Sequence, residues 1–314
     1  MKASKLIAVD WGTSHLRAYL CEVSTNAQLK LEQVKLASGV SKVEKGFEHE
    51  LFHCISPWLQ EYGELPILLA GQIGSSIGWR ETEYLPSPVT PSDIASKCLT
   101  FSAGGTEVSI VPGVSCQHTN GVRDVMRGEE LQVLGWLQLD EKHKQGEHLI
   151  CLPGTHTKWV KVTNGKINVF KTALTGELYD LLSNQSVLIQ QQSKENDFES
   201  FDQGVLFTLK SSPGSFVHGL FSVRSKQLFD ELTPIQAQSY LSGLLIGSDV
   251  RAALNAEEWQ LKEVAEVSII GSSHLAQSFA HAIQLAGIFA NVIDEQQATL
   301  SGFGVVYQLR SSKN

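Results

Sequence analysis

The stretch LIAVDWGTSHLRAYLCEV, residues 6–23, sets the reading of the whole chain. An apolar run ends in Asp10, a turn containing Gly12, Thr13 and Ser14 follows, and a second, alternating run begins at once. Two readings are open. One is a β-hairpin whose turn happens to contain an aspartate. The other is a phosphate site: glycine lets backbone N–H groups approach an oxyanion, the hydroxyls add donors, and the carboxylate holds a Mg²⁺, directly or through water.

Working outward, the same grammar returns half a chain later in LICLPGTHTKWVKVTNGKINVFKTALTGELYDLL, which begins at Leu149. Both copies run from an apolar strand through a Gly-Thr pair (Gly12-Thr13, Gly154-Thr155) into an alternating strand. Each then reaches a Thr-Asn turn (Thr25-Asn26, Thr163-Asn164) and a third strand. Asn164-Gly165 is the stronger hairpin signal. A helix pattern follows each: Phe47, Leu51, Cys54, Ile55 and Leu59 in the first copy, Leu174, Leu178, Leu181, Leu182 and Gln185 in the second. Two β-β-β-α units suggest a duplicated domain with a cleft between the copies, although glycine-turn hairpins also recur by chance. Asp10 corresponds to Leu152, so one loop carries the acid and the other offers only amides and hydroxyls. That asymmetry suits a single nucleotide with one Mg²⁺.

Composition narrows the class. The chain has 314 residues, enough for two ordinary domains, and 42% hydrophobic residues supply a substantial core. A formal charge of -8 argues against a nucleic-acid partner. Five scattered cysteines without CxxC spacing read as reduced thiols of a cytoplasmic protein. The N-terminal apolar run is too short for a signal peptide, and no window approaches the roughly 20 residues of a membrane span. No P-loop, HRD element, GxGxxG or HExxH run occurs.

Further signals lie between and after the copies. ILLAGQIGSSIGWR (67–80) reads as a buried strand opening into a glycine- and serine-rich loop, either a plain connection or a pocket wall. In GVRDVMRGEELQVLGWLQLDEKH a helix begins at Glu129, with Leu131, Leu134, Leu137 and Leu139 in its pattern. Its acidic first turn suits the helix dipole, yet Asp124, Arg127, Glu129 and Glu130 crowd one glycine, which costs energy unless the group is solvated or working. EVSIIGSSHLAQSFAHAIQLAG reads as strand, glycine turn and helix, either an ordinary βα unit or a nucleotide contact. YLSGLLIGSDVRAAL reads as a buried helix with Gly243 and Gly247 where another backbone approaches. His156 and His274 follow glycine turns and read as bystanders or ligand contacts. IQQQSKENDFESFDQG reads as an exposed connection or helix start, and the tail RSSKN as disordered.

Together IAVDWGTSHLRAYL, AGQIGSSIGW, RDVMRGEELQVLG, PGTHTKWV, TGELYDLL and YLSGLLIG resemble the 2-keto-3-deoxygalactonate kinase (2-dehydro-3-deoxygalactonokinase) family, in order, from Ile7 to about Gly304. DxGT openings occur across actin, sugar kinases and related ATPases; the specific part is the set, above all DVMRGEE and PGTHTKWV. The resemblance implies an α/β fold of the actin and hexokinase type. In it two ribonuclease-H-like domains, 1–145 and 146–314, flank a nucleotide cleft, the sugar-acid site lying in the first. It implies a first phosphate loop at Asp10–Ser14, a second at Gly154, Thr155 and His156, and an adenosine contact at Gly271, Ser272 and Ser273. The implied reaction is phosphorylation by ATP of the terminal hydroxyl of 2-keto-3-deoxygalactonate, in galactonate catabolism.

Within that reading Asp10 holds Mg²⁺, leaving Asp124, Glu129 and Glu130 to accept the hydroxyl proton. Asp124 ranks first, on the expectation that it ends a strand as Asp10 does, and Glu129 second. Arg127 or Lys158 meets the substrate carboxylate, with Trp79 as a wall; a structural ion pair is the competing role for Arg127. Two other classes stay open: a phosphohydrolase of the same superfamily, since GEE is similar to the acidic motif of exopolyphosphatases, and a non-enzymatic sugar-binding regulator. The gluconate-derived epimer is an open substrate, and so is a homo-oligomeric state.

Overall fold

The opening stretch folds as strand β1 (Ser4–Trp11), a glycine turn and the antiparallel strand β2 (His15–Val23), extended by β3 (Leu29–Ser38). Period-two alternation explains the ladder: Leu16, Ala18 and Leu20 of β2 enter the same core as Ile7, Val9 and Trp11 of β1. This computed structural model describes residues 4–24, 28–191, 195–212, 214–259, 264–271 and 273–312. The expected turn at Thr25-Asn26 and the expected contact residue Ser272 lie outside the described residues.

The chain continues through α1 (Phe47–Tyr62), β4 (Ile67–Ala70), β5 (Tyr84–Pro86), α2 (Pro91–Ser96), β6 (Leu99–Ala103), β7 (Thr106–Ile110), β8 (Gly113–Gln117), β9 (Arg123–Met126) and α3 (Glu129–Leu139). Strands β10 (Glu147–Leu152), β11 (Thr157–Thr163) and β12 (Lys166–Ala173) come next, then α4 (Thr175–Gln185), α5 (Phe198–Lys210), α6 (Phe216–Leu220), α7 (Ser222–Leu228) and α8 (Pro234–Leu254). The chain closes with β13 (Glu266–Gly271), α9 (Ser273–Leu285), β14 (Phe289–Asp294) and α10 (Glu295–Ser311).

Three sheets form among the described residues. One has the order β3-β2-β1-β4-β7-β6, the second β12-β11-β10-β13-β14, and the third β5-β8-β9. In the first, β1, β4 and β7 run parallel; in the second, β10, β13 and β14 do. The sequence order of the first three strands and their outward neighbour is the same in both large sheets. The Asn164-Gly165 hairpin forms with both residues at positive φ, 48° and 74°, as a two-residue turn between right-twisted strands requires. The fold is mixed α/β.

The chain separates into two compact units. Unit 1 comprises residues 1–147, 162–169 and 295–314; unit 2 comprises 148–161 and 170–294. The expectation assigned everything after 145 to one domain, whereas α10 groups with unit 1. Gly302 of α10 meets α3 so closely that an added Cβ would stand 2.0 Å from the Leu131 carbonyl oxygen. In unit 2 the close approach expected at Gly243 is made by α5, whose Phe201 carbonyl oxygen lies 2.1 Å from where a Cβ would be.

Two local expectations change. The tail expected to be disordered is helical through Ser311, where α10 ends, and Arg310 donates to Thr100 Oγ1 and Ser109 Oγ, both at 2.9 Å. The apolar stripe of α4 is only partly buried: Leu174 precedes the helix and is 49% exposed, and Leu181 is 38% exposed.

Candidate active site

In unit 1 Asp10 and Gly71 lie at the C-terminal ends of two parallel strands, where open α/β sheets generally bind ligands. Asp10, next to last in β1, is in register with Arg17 of β2 and Ala70 of β4. Arg17 Nη1 lies 3.4 Å from Asp10 Oδ2 and 3.3 Å from Glu295 Oε1, the first residue of α10. Burial lifts the Asp10 carboxyl to about 6; Arg17 pulls it back, while the charges of Glu295 and Glu129 push upward with burial. The side chain keeps 26% of its surface accessible, so solvent tempers that push. Gly71, at φ 94°, ends β4 against this group: a Cβ there would stand 2.9 Å from the Trp11 carbonyl oxygen and 3.4 Å from Asp10 Oδ1. Only glycine accepts that backbone and leaves the carboxylate open on this side.

The adjoining turn is partly committed. Gly12 N–H donates to His15 O at 2.9 Å, so that amide is not free for an oxyanion, contrary to the simplest phosphate-loop reading. The Gly12 and Thr13 carbonyls accept from Val40 N and Ser41 N, which turns the loop's acceptors inward. Thr13 and Ser14 are exposed.

The acidic cluster separates into distinct environments. Glu130 has no exposed surface, and each of its oxygens lies 2.8 Å from the Gly128 N–H. Burial, then the neighbouring charge of Glu129, raise it to about 8, so it is chiefly a neutral acid at pH 7. Glu129 stays partly accessible, and its Oε2 accepts from Arg127 N at 3.0 Å. Contrary to the expectation, Asp124 does not end its strand: β9 continues to Met126, Asp124 pairs with Cys116, and its Oδ1 accepts from Val125 N at 2.7 Å.

Arg127 is buried. Its guanidinium donates to the Thr82 carbonyl at 2.9 Å, to Thr82 Oγ1 and to Tyr84 Oη at 3.3 Å, and it lies 4.1 Å over the Tyr84 ring. This is a clamp on residues 82–84, and neither Asp124 nor a glutamate holds the guanidinium through those contacts. Trp79 stands edge-on to Phe101 at 5.0 Å and packs on the unit 1 core.

In unit 2 the loop Gly154–His156 leaves β10 beside Gly271, where β13 ends; a Cβ on Gly271 would lie 3.3 Å from Pro153 Cδ. Thr155 and His156 are exposed, and the His156 imidazole Nε2 lies 2.6 Å from Glu177 Oε2. Gly176, in the first turn of α4, brings that helix onto the loop: a Cβ would be 2.5 Å from the Gly154 carbonyl oxygen. Behind the loop, buried Asp249 accepts from Trp159 Nε1 at 2.9 Å and Thr175 Oγ1 at 2.6 Å, and burial raises its carboxyl to about 6. Lys158 is buried and donates to Thr172 Oγ1 at 2.7 Å. From the start of α9 a cavity of about 730 Å³ extends between α5, α8 and α9, lined by Asn196, Phe198, Ser242, His274 and His281 among others.

Sequence reasoning passed over Arg17, Glu295, Glu177 and Asp249. Arg17 was within reach, since counting residues back from the turn sets it opposite Asp10. Glu295, 278 positions from Arg17, offered no local signal. No group of three or more His, Cys, Asp or Glu side chains among the described residues forms a metal cage. The donor set nevertheless fits Mg²⁺, which takes one or two carboxylates and completes its shell with water and phosphate oxygens. Asp10 offers a hard oxygen beside an open glycine, and the nearby charges of Glu129 and Glu295 leave Arg17 outnumbered.

The family model for 2-keto-3-deoxy-galactonokinase matches residues 10–306. A Rhizobium meliloti (strain 1021) protein named "Probable 2-dehydro-3-deoxygalactonokinase DgoK1" is 30% identical over 94% of this chain and 94% of its own. The Escherichia coli (strain K12) 2-dehydro-3-deoxygalactonokinase is 30% identical over 95% of this chain and 96% of its own. A crystal structure from Sinorhizobium meliloti bearing the same enzyme name superposes with a TM-score of 0.83 at 28% identity, covering 96% of this chain and 98% of the other. The chain belongs to the 2-keto-3-deoxy-galactonokinase family.

Proposed function

We propose that the chain transfers the γ-phosphoryl group of ATP to the terminal hydroxyl of 2-dehydro-3-deoxy-D-galactonate, giving the 6-phosphate and ADP. The observation that carries this reading is the recessed Asp10 near the end of β1, beside an exposed Thr-Ser turn, in a chain that the kinase family matches over residues 10–306. Asp10 is the residue that would hold Mg²⁺. When bound, the metal supplies positive charge against the β- and γ-phosphates.

The remaining work belongs to the chain. Thr13 and Ser14 offer hydroxyls to a phosphate in unit 1; in unit 2 Thr155 offers a hydroxyl and His156 an imidazole. Glu177, 2.6 Å from the His156 Nε2, orients that ring. The cavity that starts at His274 has the size and mixed lining expected of a seat for the adenosine end, with Asn196 for a base edge and Phe198 for its face. The substrate oxygen attacks the γ-phosphorus, the bond to the bridging oxygen breaks toward ADP, and the hydroxyl proton passes to a carboxylate.

For that acceptor the geometry favours Glu129 over Asp124. Glu129 stands at the start of α3, accessible and near enough for its charge to act on Asp10, whereas Asp124 is bound into the body of β9. Glu130 is sealed from any ligand and serves to shape the turn at Gly128. Arg127 is a clamp in this reading, and the partner of the substrate carboxylate lies elsewhere.

The test is ADP release with ATP, Mg²⁺ and a panel of 2-keto-3-deoxy sugar acids. Release that requires the galactonate-derived acid supports the proposal. A preference for the gluconate-derived epimer reassigns the substrate, and release independent of any acid favours a phosphohydrolase.

A further inference from the structure

The Arg17 guanidinium has two carboxylates to choose from, and a single atom, Nη1, is shared almost evenly between them at 3.4 and 3.3 Å. One is Asp10. The other, Glu295, is held from its far side: Gln132 Nε2, on α3, donates to the same Oε1 at 3.5 Å and reaches Thr299 Oγ1, one turn along α10, at 3.5 Å. Glu295 is thus fixed between two helices of unit 1, while Arg17 is 43% exposed and able to swing.

We propose that Glu295 is a positioning residue that keeps Arg17 from neutralising Asp10, so that Asp10 can receive a divalent cation. This rests on the nucleotide-binding reading above. The argument is one of competition. A guanidinium that closed on Asp10 with both nitrogens would form a bidentate pair and occupy the oxygens a cation needs. A second carboxylate, equally near to the same nitrogen, removes the gain from that movement, because leaving Glu295 costs what reaching Asp10 returns. When a cation takes Asp10, Arg17 is repelled by it and still has Glu295 to hold it beside the turn. Glu295 makes this contact at the first residue of α10, and its position is set by that helix and by Gln132 of α3.

The experiment is a double-mutant cycle read by binding, without turnover. Mn²⁺ is titrated by electron paramagnetic resonance into wild type, Glu295→Gln, Arg17→Ala and the double variant, each with a non-hydrolysable ATP analogue, and thermal melting checks that each is folded. Glu295→Gln is expected to raise the Mn²⁺ midpoint about fivefold, the scale of a partly exposed ion pair. In the Arg17→Ala background the same substitution is expected to change it by less than about twofold, because the effect passes through Arg17. Additive effects, in which Glu295→Gln costs as much with Arg17 absent, overturn the proposal and reduce Glu295 to a distant negative charge. An unchanged midpoint in Glu295→Gln also overturns it, and wild-type binding would then leave the kinase reading standing. Failure of wild type itself to bind Mn²⁺ with the analogue would overturn the nucleotide reading and this inference together.

Discussion

Asp10 and Arg17 stand opposite each other in the β1–β2 ladder, and the cross-strand register alone brings their charges to 3.4 Å. Opposite charges directly across an antiparallel pair ordinarily stabilise a sheet modestly. Here the pair sits at the C-terminal end of β1, where the proposed function gives the carboxylate a second use as the cation's ligand. Asp10→Asn is expected to lower turnover at least about a hundredfold while the fold survives. Because burial already makes the charged form costly, the melting temperature of the amide variant at pH 8 should not fall below wild type. Near-normal Mg²⁺-dependent turnover would remove Asp10 from the site.

The proton acceptor is decided by comparing Glu129→Gln with Asp124→Asn. Loss of a general base costs about a hundredfold to ten-thousandfold in turnover. The larger loss is expected at Glu129, with ATP binding retained as measured by calorimetry. Asp124→Asn should keep most of its activity; if it is the variant that fails, the strand-borne aspartate is the base.

Arg127 should behave as a structural clamp. Arg127→Ala removes three donor contacts and leaves the buried Thr82 carbonyl without its 2.9 Å partner, a change expected to cost about 2 kcal/mol or more in urea unfolding. The Michaelis constant for the sugar acid should stay within about twofold of wild type in whatever fraction remains folded. A rise in that constant without lost stability would return Arg127 to the substrate.

Glu130 ties stability to pH. Its folded pKa is about 8 against an ordinary 4.5, so between those values the folded state holds a proton that the unfolded chain has released. Stability from this group is complete below about pH 4.5 and declines as pH rises through 8. Wild type should melt several degrees lower at pH 9 than at pH 6, and Glu130→Gln should flatten that slope; an unchanged slope in the variant would show that another group carries it.

Much of the local architecture was legible. The strand-turn-strand opening, its counterpart after Leu149, the Asn164-Gly165 hairpin and the helix from Glu129 all follow from periodicities and turn residues a few positions apart. The placing of the turn residues was legible too: Asp10 lies next to last in β1, and Thr13, Ser14 and Thr155 are exposed. Asp124 shows the limit. A carboxylate before two apolar residues looks the same in sequence whether the strand ends at it or runs two residues past it, and pairing with Cys116 made the difference.

What the sequence determined by itself is therefore the order of strands, turns and helices, because backbone dihedral preferences and alternating or 3.6-residue apolar spacing act over neighbouring residues. The environment of each charged group was decided only in the tertiary structure. Glu129 and Glu130 are adjacent and chemically identical, yet one is partly accessible and the other fully buried with a carboxyl raised to about 8. Glu295 acquires its meaning only because α10 returns to unit 1 and sets it 3.3 Å from Arg17. The physical reason is that desolvation and Coulomb energy depend on distance in space and on what displaces water, and neither is a property of position along the chain.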